Sequence, residues 1–175
     1  MNKQQLILLL LIAICMMASC SKDDLCIPED AATPRLIVVF VDANNGLLRK
    51  PVEQLEIYET GNDSVAITLN GLGETSLTEV DSIAIPLRID PDTGDRKSTQ
   101  FDFVRTLATI EISSTIDFEY LQNEIYINRA CGFQAIFNEL DANLETPPIN
   151  GWITSLTVQQ RDVTSNNDIH VEIRH

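Results

Sequence analysis

Ile116-Asp117-Phe118-Glu119-Tyr120 alternates apolar and acidic side chains without a break. Successive side chains of a strand point to opposite faces, so this period of two describes a strand with one dry face and one wet face. The same reading extends outward. Leu107 to Ile112 is a second period-two run, and Phe101 and Phe103 point one way while Asp102 points the other. Ser82 to Leu87 alternates as well, and its Pro86 cannot donate to a ladder, which marks an edge or a strand end. Ser64 to Leu69 alternates and closes on Asn70-Gly71, a turn pair. Leu55 to Glu59 reads as a half-exposed strand followed by a Gly61-Asn62 turn. Leu36 to Val41 is a continuous β-branched and aromatic run between Pro34 and Asn44-Asn45-Gly46, the pattern of a buried strand.

Downstream, Ile125 and Ile127 flank Tyr126 in a further short run. Cys131 to Phe137 stays open between a helical turn, from Phe133 and Phe137 at i and i+4, and a strand. Asn138 to Asn150, with Pro147-Pro148, reads as a long loop. Trp152, Leu156 and Val158 share one face of a strand, and Ile169, Val171 and Ile173 share one face of the last. His170, Glu172 and Arg174 fall on the opposite, polar face, which makes His170 a surface histidine. About eight or nine short strands with turns between them, and no long helical period, predict an all-β fold. The expected architecture is a single antiparallel β-sandwich or a partly closed barrel.

The chain has 175 residues, with 12 Lys and Arg against 26 Asp and Glu, a formal charge of −14. With 44% hydrophobic residues this is a globular composition, long enough for one domain with its own core. Scattered basic residues in so acidic a chain exclude nucleic acid as a partner, since phosphate binding works through Lys and Arg that release counterions.

The N-terminus supplies Lys3 and then an apolar run from Leu6 to Ala18. That run is shorter than the about 20 residues a helix needs to span a bilayer, and it fits the core of a secretory signal. Met17-Ala18-Ser19-Cys20 follows, small residues just before a cysteine, and this resembles a bacterial lipobox. Three segments are expected: a lipoprotein signal peptide over 1–19, a lipidated polar tether over 20–34, and the β-sandwich over 35–175. Ser21 is compatible with outer-membrane sorting and Lys22-Asp23-Asp24 is similar to the short acidic export signal of surface lipoproteins in Bacteroidota, so the expected location is the outer membrane, lipid-anchored at Cys20, with surface display and the periplasmic leaflet both open.

Of the four cysteines, Cys15 leaves with the signal and Cys20 carries lipid. Cys26 and Cys131 remain, and two thiols in an oxidising compartment are most simply one disulfide. Such a bridge closes a loop of about a hundred residues, for which chain entropy gives roughly 4–5 kcal/mol as a ceiling. The rivals are a free thiol pair, a redox site, which usually shows Cys-x-x-Cys, and a zinc site, which only His170 and His175 could complete.

These residues together carry a resemblance over nearly the whole chain: the lipobox, Cys26, Thr33-Pro34-Arg35-Leu36-Ile37-Val38-Val39-Phe40, Gly61-Asn62-Asp63-Ser64, Arg129-Ala130-Cys131-Gly132-Phe133 and His170-Val171-Glu172-Ile173. The chain resembles an uncharacterised family of small Bacteroidota lipoproteins, a domain of unknown function. The resemblance supports the lipid anchor and the paired cysteines and implies no activity.

For chemistry, the acidic loop Asp90-Pro91-Asp92-Thr93-Gly94-Asp95 is the one weak calcium candidate, through Asp90, Asp92 and Asp95. Its spacing departs from an EF-hand, with Phe101 where a bidentate Glu belongs, and a solvated turn explains it equally. Asp92-Thr93-Gly94 spells an aspartic-protease tripeptide, but it occurs once and without the apolar strand before it. No nucleophile–base pair, phosphate loop or cofactor signature stands out, so no catalytic residue and no cofactor is assigned. Tyr58, Tyr120, Tyr126 and Trp152 could form a sugar-stacking platform or could be core. The expected function is a membrane-anchored lipoprotein acting as a non-catalytic binding or envelope-organising module, with a protein or glycan partner. The alternative is a cell-surface hydrolase or glycan-binding accessory protein, which a pocket lined by an exposed Tyr or Trp and paired acids would favour.

Overall fold

A computed structural model describes residues 4–5, 25–27, 31–61, 66–70, 73–91 and 94–175. Two compact units are distinguished, one of Met1–Ala32 with Tyr126–Gln134, the other of Thr33–Ile125 with Ala135–His175. Nine strands are found among the described residues: β1 (Leu36–Val41), β2 (Leu55–Glu59), β3 (Ser76–Leu77), β4 (Ser82–Ile85), β5 (Arg96–Leu107), β6 (Ile110–Asn128), β7 (Gly132–Leu144), β8 (Ser155–Val158) and β9 (Val171–Arg174). They form a four-stranded sheet in the order β4-β1-β9-β8 and a five-stranded sheet in the order β3-β2-β5-β6-β7. The fold is all-β and sandwich-like, with one sheet curled into a half-barrel.

The alternation that opens the sequence reading decides the larger sheet. Thr99, Phe101 and Phe103 of β5 and Ser114, Ile116, Phe118 and Tyr120 of β6 are buried, while the residues between them are not. Antiparallel pairing of Phe101 with Ile116 and Phe103 with Ser114 puts these side chains on one face. They join Leu36, Val38 and Phe40 of β1, Ile83 and Ile85 of β4, and Val171 and Ile173 of β9 in a single hydrophobic cluster. The two-residue turn Ala108-Thr109 joins β5 to β6, with Ala108 in the left-handed region at φ 57° that such hairpins demand.

β1 sits inside its sheet between β4 and β9, and Val39 and Val41 are buried along with the core-facing residues. A strand buried on both faces reads as a continuous apolar run, which is how Leu36–Val41 is written. Its pairing with β9 is parallel, Val38 with Val171 and Phe40 with Ile173, so the sandwich is not wholly antiparallel as expected. A parallel pair needs a crossover, and here nearly the whole chain lies between the two strands. β4 is an edge strand and stops at Ile85, directly before Pro86.

Buried polar groups tie the core together. Ser114 Oγ accepts from the backbone N–H of Trp152 (2.9 Å) and of Ile153 (3.2 Å), and a Cβ on Gly151 would stand 2.3 Å from that same oxygen. The chain therefore needs glycine at 151 to approach β6 this closely. Trp152 Nε1 donates to Phe103 O at 2.8 Å, and the Tyr120 hydroxyl meets Thr99 Oγ1 at 2.8 Å and Arg88 O at 2.9 Å.

Three expectations fail locally. The expected run Leu107–Ile112 is broken by the Ala108-Thr109 turn, and the runs from Ile110 to Asn128 are one strand, β6. Asn138 to Leu144, expected as loop, continues β7, and Cys131–Phe137 resolves as the strand option from Gly132 on. Asn, Asp and Glu are poor strand formers, but here they fill the outer positions of a ladder in which Phe137, Leu140 and Ala142 are buried. The left-handed Glu139 (φ 52°) shifts the phase, so the core-facing positions step from Phe137 to Leu140 and then to Ala142, and the alternation is hard to read. Of Ser64–Leu69, the described residues hold only isolated bridges, Tyr58 to Ala66 and Leu69 to Glu74, and no named strand.

Candidate functional site

The outer face of the larger sheet carries what the inner face cannot hold. Register places Glu56 of β2 beside Val104 of β5 and Val104 beside Ser113 of β6, with Tyr58, Asp102 and Thr115 in the next row. Glu56, Tyr58, Asp102, Val104, Glu111 and Ser113 line an open groove of about 370 Å³. The Tyr58 hydroxyl donates to Glu56 Oε2 at 2.5 Å. That bond to a carboxylate, with some burial and the charges of Glu56 and Glu111, pushes the Tyr58 phenol up to about 12. Asp102 accepts from Thr60 Oγ1 (3.2 Å) and Thr115 Oγ1 (2.5 Å), one on each carboxylate oxygen. Farther along the same face Asp117 takes a hydrogen bond from the Ser98 hydroxyl.

This groove combines one tyrosine with three acids, the composition that the hydrolase or glycan-binding alternative calls for. Its groups are committed differently from a hydrolase's, however. A general acid needs a carboxyl kept neutral near neutral pH, and a nucleophile needs a base beside it. Here Glu56 accepts from the Tyr58 hydroxyl, and Asp102 accepts from the Thr60 and Thr115 hydroxyls. The arrangement is a negatively charged shelf with an aromatic edge.

Of the residues singled out in the sequence, Cys20 lies outside the described residues. Cys26 and Cys131 are joined in the structure by a disulfide, with Cα atoms 4.9 Å apart. Of the acidic loop, Asp92 lies outside the described residues. Asp90 turns its carboxylate toward Arg88 Nε (3.6 Å) and Lys97 Nζ (3.8 Å), and the Gln122 amide clasps its backbone, donating to Asp90 O and accepting from Asp90 N. Asp95 is exposed. Among the described residues no three His, Cys, Asp or Glu side chains are grouped to hold a metal ion. Tyr120 and Trp152 are buried in the core and cannot stack on a ligand, whereas Tyr58 edges the groove and Tyr126 is exposed.

The two histidines correct the surface reading. His170 is fully buried and His175 is 7% exposed. His170 lies just before β9, outside the alternating ladder, and its ring serves the backbone of β1: Nδ1 accepts from Ile37 N at 2.9 Å while His170 N donates to Ile37 O at 3.0 Å. His175 packs edge-on against Trp152 (5.2 Å between centroids) and Phe40 (6.1 Å), with Nε2 3.0 Å from Lys50 O. Burial lowers both imidazole pKa values below the ordinary 6.5.

A pH dependence follows. Below about pH 6.5 the unfolded chain binds protons that the folded chain refuses, so stability falls as pH drops from there toward the depressed folded pKa values, and is unaffected by these groups above. Denaturant midpoints measured across that window should fall for the natural chain and flatten in His170→Asn, whose side-chain oxygen can replace Nδ1 as acceptor. An identical slope in both chains would show that His170 is not held neutral by burial.

Glu56, Asp102 and Glu111 were not singled out in the sequence. Each is an ordinary outward position of an alternating strand, and only the register of three strands brings them together. A sequence profile described as a family of unknown function, DUF6452, matches residues 54–175. No curated protein and no solved structure matches the chain.

Proposed function

The chain belongs to DUF6452, a family of unknown function, and from that premise we propose that it is a membrane-anchored lipoprotein whose β-sandwich is a non-catalytic binding module. One observation carries the reading most: the segment six residues beyond the lipobox cysteine is disulfide-bonded, Cys26 to Cys131. A pairing of this kind belongs to an oxidising compartment outside the cytosol, where a lipobox leader delivers its protein. The binding surface we assign is the acidic outer face around Glu56, Asp102 and Glu111, offered to a basic partner through contacts that weaken with salt. Outer-membrane placement and surface display belong to the same proposal, on the strength of Ser21-Lys22-Asp23-Asp24.

The test is Cys20→Ala in the full chain expressed in a bacterium with a lipoprotein pathway. The variant is expected to leave the membrane fraction or to keep its leader, while the natural chain floats with membranes and carries acyl groups by intact mass. A variant that stays membrane-bound and correctly cleaved would overturn the anchor. The groove, with Tyr58 beside three acids, favours a glycan-binding accessory protein as the second reading. Glycan binding or turnover that is lost in Tyr58→Ala or Glu111→Gln would move the assignment there.

A further inference from the structure

The turn between β6 and β7 leaves large apolar side chains in water. Tyr126 is 59% exposed and Phe133 67% exposed, and their rings meet edge to face with centroids 5.5 Å apart. Within the same unit Leu25 and Ile27 are 78% and 52% exposed, on either side of Cys26. A packed aromatic pair that is not covered marks an interaction surface. The turn is also a built one: Asn128 Oδ1 accepts from Ala130 N (2.9 Å) and Cys131 N (2.7 Å), and Gly132 takes the left-handed φ of 75° that allows β7 to start.

Charge narrows the partner. The chain as a whole carries a formal charge of −14, yet no Asp or Glu lies between Glu124 and Glu139, and Arg129 sits at the turn. The disulfide narrows it further. Cys131 in this turn is bonded to Cys26, six residues after Cys20, and six extended residues reach about 20 Å at 3.3–3.6 Å each. An acyl group on Cys20 therefore holds this turn within about 20 Å of the lipid.

We propose that the tip of the β6–β7 hairpin, with Tyr126, Phe133, Leu25, Ile27 and Arg129, rests in the headgroup layer of the membrane that holds the anchor. The inference rests on the lipoprotein reading above. Aromatic rings with one polar end settle at the boundary between hydrocarbon and water, and an Arg beside them can meet lipid phosphate. A single anchored residue leaves a protein free to swivel, and a second contact of this kind removes that freedom. Residues 125–138 of the hairpin carry Arg129 and no acid, whereas Asp23, Asp24, Glu29 and Asp30 flank Leu25 and Ile27 in sequence, so the contact suits a zwitterionic headgroup layer better than an anionic one.

The experiment uses the full chain, produced with its leader in a bacterium and reconstituted into phosphatidylethanolamine–phosphatidylcholine vesicles. Phe133→Trp adds an indole at the tip, and the natural chain, whose single Trp152 is buried, supplies the background. Tyr126→Trp is the second reporter should the first fail to fold. Intact mass reports acylation of Cys20 separately. The expected result is a blue-shifted tip emission that loses most of its intensity to brominated lipid. An acylated, vesicle-bound chain whose tip indole stays unquenched overturns the inference and leaves the anchor standing. An unacylated chain with a quenched tip keeps the inference and removes the anchor, and a chain with neither refutes both. A tip shielded in the native envelope but unquenched in vesicles overturns the lipid in favour of a protein partner.

Discussion

Phe118→Ala should destabilise the domain by about 3–5 kcal/mol, the cost of emptying a buried aromatic site in a core that closes only partly around the gap. Phe118 is fully buried, and its ring lies 6.1 Å from that of Phe101 and 6.5 Å from that of Phe103. Phe103 in turn lends its carbonyl to the Trp152 indole, so the loss spreads toward the buried turn at Gly151 and Ser114. In a chain of this size each kcal/mol moves the unfolding midpoint by about 2–4 °C, so the variant should melt roughly 6–20 °C below the natural protein. The neighbouring Asp117→Ala removes one hydrogen bond on the wet face and should cost about 1 kcal/mol or less. Thermal and denaturant unfolding of the two variants side by side checks the assignment of faces. Comparable losses in both would mean that the register of β5 against β6 is misassigned.

The contrast between those two neighbours shows what the sequence made legible. Ile116 to Tyr120 alternates strictly, so the dry and wet faces of β6 could be read residue by residue, and so could the continuous run of β1. What stayed hidden depends on partners distant in the chain. The polar half of β7 looks like loop because its strand character comes from pairing, and Glu139 breaks the period that would have revealed it. The parallel pairing of β1 with β9 leaves no local mark at all, since either strand would read the same beside an antiparallel neighbour. His170 looked exposed because the strand period was extended one residue too far, past the start of β9. The groove is the extreme case. Glu56, Asp102 and Glu111 come from three strands and are single outward acids in a chain with 26 acidic residues, so nothing local distinguishes them. The cysteines were legible for the opposite reason. Cys26 and Cys131 are the two cysteines of the chain beyond residue 20, and pairing them requires no register.

Replacing that pair, Cys26→Ser with Cys131→Ser, is expected to lower the unfolding free energy by roughly 2–4 kcal/mol. The bridge joins residues 105 apart in sequence, so in the unfolded chain it closes a long loop and removes much of the entropy that unfolding would gain. The native turn should persist without it, because Asn128 still caps the backbone of Ala130 and Cys131 and the Tyr126–Phe133 pair still closes the strands. Stability and attachment should therefore separate. The doubly substituted protein should fold with an unchanged strand content by circular dichroism, yet unfold at lower denaturant. Limited proteolysis should cut the segment after residue 26 faster, because among the described residues the Gln134 amide on Ala32 O is the one hydrogen bond left between that segment and the hairpin. Unfolding curves that coincide with those of the natural chain, together with unchanged cleavage there, would show that the bridge constrains nothing. A lowered midpoint with accelerated cleavage would identify the bridge as the clasp between the segment around Cys26 and the hairpin.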